Sequence, residues 1–211
     1  STKYATWISK EITKGSSEKD KLCVCELCAG AGVTTSKIFI EAKKNKFKNI
    51  NIHAVDKSIE SISIAYLLFR TQDISCKLIT DCRDLDTMIT DFDGVALMYS
   101  DAQTYLEGLS SNIKYDALVS ENGISYFPRA ILDKILEDAK DHLRTNSGIY
   151  ISSLDPNLTI DLSKIFLLKE IFTGGNKAEQ YRLRSQKTGE DYGITKDGKV
   201  TKFLSVEAGR E

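Results

Sequence analysis

The chain has 211 residues, 41% of them hydrophobic, and carries 29 basic against 30 acidic side chains. That balance lacks the basic stripe a nucleic-acid or membrane-surface partner would call for. No apolar run reaches the roughly 18 residues of a membrane span and no leader pattern is visible, so the expectation is one soluble, cytoplasmic domain over 1–211. Five cysteines without a secreted scaffold's spacing predict reduced thiols, and a first residue that is Ser rather than Met is expected of a trimmed chain.

In chain order, Tyr4, Trp7, Ile8 and Ile12 recur at helical spacing, and a polar loop ends that helix by residue 20. The apolar run Leu22–Leu27 reads as a buried strand that opens the α/β core, 21–211. It runs into Cys28-Ala29-Gly30-Ala31-Gly32 and a helix from Thr35 to about Phe47. A second strand, Ile50–Val55, closes on Asp56. The stretch Ile59–Phe69 is apolar enough for a well-buried helix, and Ser75–Thr80 reads as a third strand with Asp81 and Cys82 at its tip. Residues 85–114 are too long for a bare connection and are expected to form one or two helices. Tyr115–Ser120 is a fourth strand that runs into Glu121-Asn122-Gly123. Pro128 opens a helix that Asn146-Ser147-Gly148 ends, and a fifth strand spans Gly148–Leu154. Stretches 166–172, 181–185 and 199–206 read as strands, the last two as an antiparallel pair at the sheet edge, with 187–196 as an exposed loop.

Strand, small-residue loop, helix and acid-tipped strand together make one βαβ unit that suits a nucleoside-containing ligand. Glycines admit backbone close to a ligand, the helix start presents unpaired N–H groups, and Asp56 can accept from both ribose hydroxyls. The dinucleotide pattern G-x-G-x-x-G fails at its third glycine, where Thr35 stands. Glu26, at the end of the first strand, would repel a pyrophosphate and suits a ligand that brings an ammonium group. Cys23, Cys25 and Cys28 lack a second paired knuckle, so they read as small buried thiols rather than metal ligands. The lysines at 43, 44, 46 and 48 read as a solvated helix end, and His53, facing away from Asp56, as a packed core histidine.

The segment Glu26-Leu27-Cys28-Ala29-Gly30-Ala31-Gly32 resembles the acid-x-Gly-x-Gly-x-Gly loop of class I S-adenosylmethionine-dependent methyltransferases, with Cys28 in place of the first glycine. The resemblance follows the order of elements over roughly residues 20–172. It implies a Rossmann-like, doubly wound, mostly parallel sheet of about seven strands with an antiparallel strand at the C-terminal edge. It implies S-adenosyl-L-methionine as cofactor, held by Glu26, Cys28, Ala29, Gly30, Ala31, Gly32, Asp56 and Lys57, with Asp81 and Cys82 beside the adenine. It also implies Tyr4 and Trp7 as lid residues over the substrate.

Strand ends at a topological switch point are where ligands sit in open α/β sheets, which adds Ser120, Glu121 and Asn122 to the site. Methyl transfer is an in-line displacement that can run on positioning, and a base is needed only when the acceptor must lose a proton. Glu121 is the candidate for that role, with Tyr126 near it. Ser120-Glu121-Asn122-Gly123 stands where the family's Asn/Asp-Pro-Pro-Tyr would recognise exocyclic amino groups, which points away from such acceptors. The reading is a small-molecule methyltransferase. Its alternatives are a non-catalytic cofactor- or partner-binding module of the same fold, an RNA or protein methyltransferase and, further off, a nicotinamide-dependent oxidoreductase.

Overall fold

A computed structural model of the chain describes residues 2–15, 20–80, 92–121, 123, 127–153 and 168–173. Helix α1 (Thr2–Gly15) precedes β1 (Lys21–Leu27), α2 (Val33–Lys44), β2 (Asn49–Asp56), α3 (Ile59–Thr71) and β3 (Cys76–Ile79). Then come β4 (Gly94–Tyr99), α4 (Ala102–Glu107), β5 (Tyr115–Glu121), α5 (Arg129–Asp141), β6 (Leu143–Ser153) and β7 (Leu168–Thr173). The strands form one seven-stranded sheet in the order β3-β4-β2-β1-β5-β6-β7. Every described pairing is parallel. The sheet is Rossmann-like, and β1 is its pivot: β2 lies on one side of it and β5 on the other, so the switch-point crevice opens between β1 and β5.

Helices cover both faces, as a parallel sheet requires. On one face α1, α2 and α3 cover Leu22, Val24, Ile50, Ile52 and Ala54 with Ile8, Ile12, Ile38, Phe39, Ile62 and Phe69. On the other, α4 and α5 cover Cys23, Cys25, Leu27, Val55 and Leu118 with Tyr105, Leu106, Leu132, Ile135 and Leu136. Period-two alternation along β1 and β2 sorts these sets, so Cys23 and Cys25 do share a face.

Three expectations change. Residues 85–114 do not fold as helices alone: Gly94–Tyr99 is a strand inserted between β2 and β3, and only Ala102–Glu107 is helical within the described part. A six-residue apolar run bounded by polar residues is a buried strand as readily as a piece of buried helix, and periodicity cannot separate the two. Helix α3 is not buried all round. Ile62, Ala65 and Phe69 meet the sheet, while Leu67 is 63% exposed and Ile59 47%. A helix on the outside of a three-layer fold has only one face to bury. Helix α5 stops at Asp141 and β6 begins at Leu143, ahead of the Asn146-Ser147-Gly148 signal, because β6 pairs with Tyr115 from its first residue. The strand expected at 166–172 is β7, parallel to β6, and the antiparallel pair expected at 181–185 and 199–206 lies outside the described residues.

Candidate functional site

The loop after β1 is built on alternating left-handed residues: Cys28 at φ 59°, Gly30 at 55° and Gly32 at 75°. This is the backbone reason for glycine at every second position. At 28 a side chain stands where it costs about 1–2 kcal/mol. The loop is pinned to the end of β2, where Ala29 N–H donates to the Val55 carbonyl (2.9 Å) and Gly30 N–H to Asp56 Oδ2 (2.8 Å). The other Asp56 oxygen accepts from Ser58 N–H (2.8 Å). Each carboxylate oxygen keeps a second lone pair for a ligand hydroxyl. Gly32 caps α2, and a Cβ there would come within 2.6 Å of the Phe69 ring and 3.0 Å of Ala65 Cβ, so α3 holds the loop from behind.

Two carboxylates converge on the first turn of α2. Glu26, from β1, accepts from the Thr35 hydroxyl and backbone N–H, and Glu121, from β5, accepts from the Thr34 hydroxyl. Glu26 is 1% exposed. Burial pushes its carboxyl up to about 7 against the pull of the Thr35 hydrogen bonds, with Asp56 adding to the rise. Both acids thus brace the first turn of α2, Glu26 also taking the Thr35 N–H. One oxygen of the Glu121 carboxylate is held by Thr34.

The structure brings together Glu26, Cys28, Ala29, Gly30, Ala31, Gly32, Asp56, Lys57, Ser120 and Glu121 at the carboxyl ends of β1, β2 and β5. Ser120 is fully buried, and its hydroxyl has no partner among the described residues. Asp81, Cys82, Asn122 and Tyr126 lie outside the described residues, as do the side chains of Tyr4 and Trp7. The strand before Asp81, however, is not the neighbour of β2. That neighbour is β4, with Tyr99 in register with Asp56 and Ser100 N–H donating to the Asp56 carbonyl (3.1 Å). The acid that follows directly is Asp101, which caps α4 by accepting from Thr104 N–H (2.9 Å). Sequence reading passed over Asp101; its signal was the apolar run Gly94–Tyr99 ending in Ser-Asp.

His53 sits in the opposite face with Nδ1 2.9 Å from the Tyr105 hydroxyl and 2.8 Å from that of Tyr115, and the two hydroxyls are 2.8 Å apart. It is a core residue. Cys23 and Cys25 are buried beside it, and burial raises both thiols, Cys23 to about 12.

No family profile matches the chain, and no curated protein does. Among solved structures it is similar to a SAM-dependent methyltransferase from Agrobacterium tumefaciens, at 13% identity over 69% of this chain and 41% of that one, with a TM-score of 0.48. It is similar to PKMT2 of Rickettsia typhi in complex with AdoHcy, at 19% identity over 70% of this chain and 24% of that one, with a TM-score of 0.46. A third is precorrin 8w decarboxylase of Methanobacterium thermoautotrophicum, at 18% identity over 68% of this chain and 60% of that one, with a TM-score of 0.46. The chain therefore spans 24–60% of the length of these proteins. Methyltransferases stand among the solved structures it resembles. Among the described residues no helix is long and apolar enough to cross a membrane.

Proposed function

We propose that the chain binds S-adenosylmethionine at the carboxyl ends of β1, β2, β4 and β5 and transfers its methyl group to a small-molecule acceptor. The observation that carries this is the 28–32 loop, with three left-handed residues closed onto Asp56 and set directly before the start of α2. Such a loop sets close-packed backbone beside a carboxylate that keeps lone pairs for a ligand, as a ribose with a charged tail requires. Asp56 takes the ribose hydroxyls, the Ser100–Asp101 tip next to it faces the base, and Glu26 sets a negative potential behind the loop for the ammonium and sulfonium. The bound cofactor supplies an electrophilic methyl group. The chain's own work is to orient it and keep water out, with Glu121 and Thr34 fixing the edge of the site nearest the switch point.

The test is calorimetric titration with S-adenosylhomocysteine, with NAD in parallel. Micromolar binding of the first and none of the second is expected; NAD binding alone overturns the proposal. One observation favours a second reading, a binding module without transfer: one oxygen of the Glu121 carboxylate is taken by the Thr34 hydroxyl. Formation of S-adenosylhomocysteine from S-adenosylmethionine across a panel of small acceptors separates the two, since a module binds and never turns over.

A further inference from the structure

Gly123, just past β5, is in an ordinary backbone conformation, so no left-handed φ calls for glycine there. What calls for it is space. A Cβ at 123 would overlap Cys28 Cβ and lie 2.7 Å from Cys28 Sγ and 3.1 Å from Ser120 Oγ. Cys28 in turn stands at φ 59°, a conformation glycine adopts without cost. A side chain therefore sits where the backbone wants glycine, and a glycine sits where the backbone would accept a side chain. The two meet across the crevice between β1 and β5, where the sheet reverses its direction of growth.

We infer that Cys28 and Gly123 form one positioning device, in which the Cys28 side chain plugs the switch-point crevice and sets the gap between the glycine loop and Gly123 just past β5. The plug holds Ser120 and Glu121 at a fixed distance from the loop, and through Glu121 and Thr34 it reaches the first turn of α2. It also determines the wall of the site at 123. With Cys28 present no side chain fits at 123, so at that position the wall is made by the Cys28 thiol and the buried Ser120 hydroxyl. Burial, with Asp56 adding to it, pushes the thiol up to about 12, so it stands there as a neutral S–H. Its part is steric.

The effect on cofactor affinity rests on the proposed function; the steric coupling does not. A double-mutant cycle tests both, with Gly123→Ala placed in three backgrounds: wild type, Cys28→Ala and Cys28→Gly. In the wild-type background Gly123→Ala should lower Tm by about 5 °C or more, or prevent folding. In the Cys28→Ala background, which keeps the overlapping Cβ, most of the loss should persist. In the Cys28→Gly background the shift should fall below half of it. Equal shifts in all three backgrounds overturn the inference, whatever the protein binds. Titration with S-adenosylhomocysteine supplies the second readout. Gly123→Ala should weaken binding by about tenfold, and Cys28→Gly with Gly123→Ala should bring it back to within about threefold of the Cys28→Gly single variant. If the wild-type protein binds no S-adenosylhomocysteine, the cofactor reading fails, and the Tm cycle still decides whether the plug exists.

Discussion

Two clusters of buried polar side chains lie on opposite faces of the same sheet. On the α1–α3 face, Glu26 and Glu121 meet Thr35 and Thr34 at the start of α2. On the α4–α5 face, His53 meets Tyr105 and Tyr115 in a closed ring of hydrogen bonds, below the ends of β1 and β2. The first cluster places charge at the mouth of the site; the second is neutral and serves packing. Burial acts on both, but with opposite sense. It raises Glu26 from 4.5 to about 7 and lowers His53 from 6.5 to about 3, because in each case it disfavours the charged form. A carboxylic acid and an imidazole under one kind of sheet thus become opposite pH sensors.

The largest expected effects are on the pH dependence of stability. Glu26 binds its proton more tightly when folded, so its contribution is complete below about 4.5 and is lost as pH rises through about 7. His53 binds its proton less tightly when folded, so its contribution is complete above 6.5 and is lost as pH falls toward about 3. The two are worth on the order of 3 and 3 to 5 kcal/mol respectively, and between pH 4.5 and 6.5 they oppose each other. Breaking one side should expose the other. His53→Leu should yield a protein that grows more stable as pH is lowered from 7 to 4.5. Glu26→Gln should yield one that loses stability from pH 6.5 downward. Urea unfolding at several pH values reads both slopes, and parallel slopes in the two variants would mean that these groups do not carry the dependence.

Glu26 also links the first cluster to ligand binding. Affinity for S-adenosylhomocysteine, whose tail carries an ammonium, should rise as pH is raised through about 7 in the wild-type protein and stay flat in Glu26→Gln. Calorimetry across that range checks it. Asp56→Ala removes the acceptor of Gly30 N–H as well as the proposed ribose partner, and should weaken binding by about 1–3 kcal/mol. His53→Leu, on the other face, should leave affinity within a factor of about two. The smallest effect is expected from Tyr115→Phe, which deletes one member of the ring of hydrogen bonds for about 1 kcal/mol of stability and no change in binding.

The same contrast marks how much could be read in advance. The first βαβ unit was legible because its information is local: Leu22–Leu27, the 28–32 loop and Asp56 lie within one supersecondary unit, and their spacing carries the geometry. His53 as a core residue was legible from strand alternation alone. Asp101 was not. Placing an acid beside Asp56 requires knowing which strand pairs with β2, and both Cys76–Ile79 and Gly94–Tyr99 are apolar runs with acids after them. Local pattern cannot choose between two such strands, since the choice is made by parallel pairing across some forty residues of chain. The outward side chains of α3 escaped for a related reason, because an apolar sequence does not say how many faces of a helix the fold will cover.

What the sequence by itself determined is the βαβ unit and the acid-and-glycine character of its loop, which follow from residue type and spacing, and the parallel α/β class, which the resemblance of that loop implied. Only the tertiary structure decided that β4 lies between β2 and β3, that Glu26 and Glu121 share the first turn of α2, and that Cys28 fills the space left by Gly123. Each of these is a meeting of segments distant in the chain, and such meetings are set by packing and strand order rather than by local propensity.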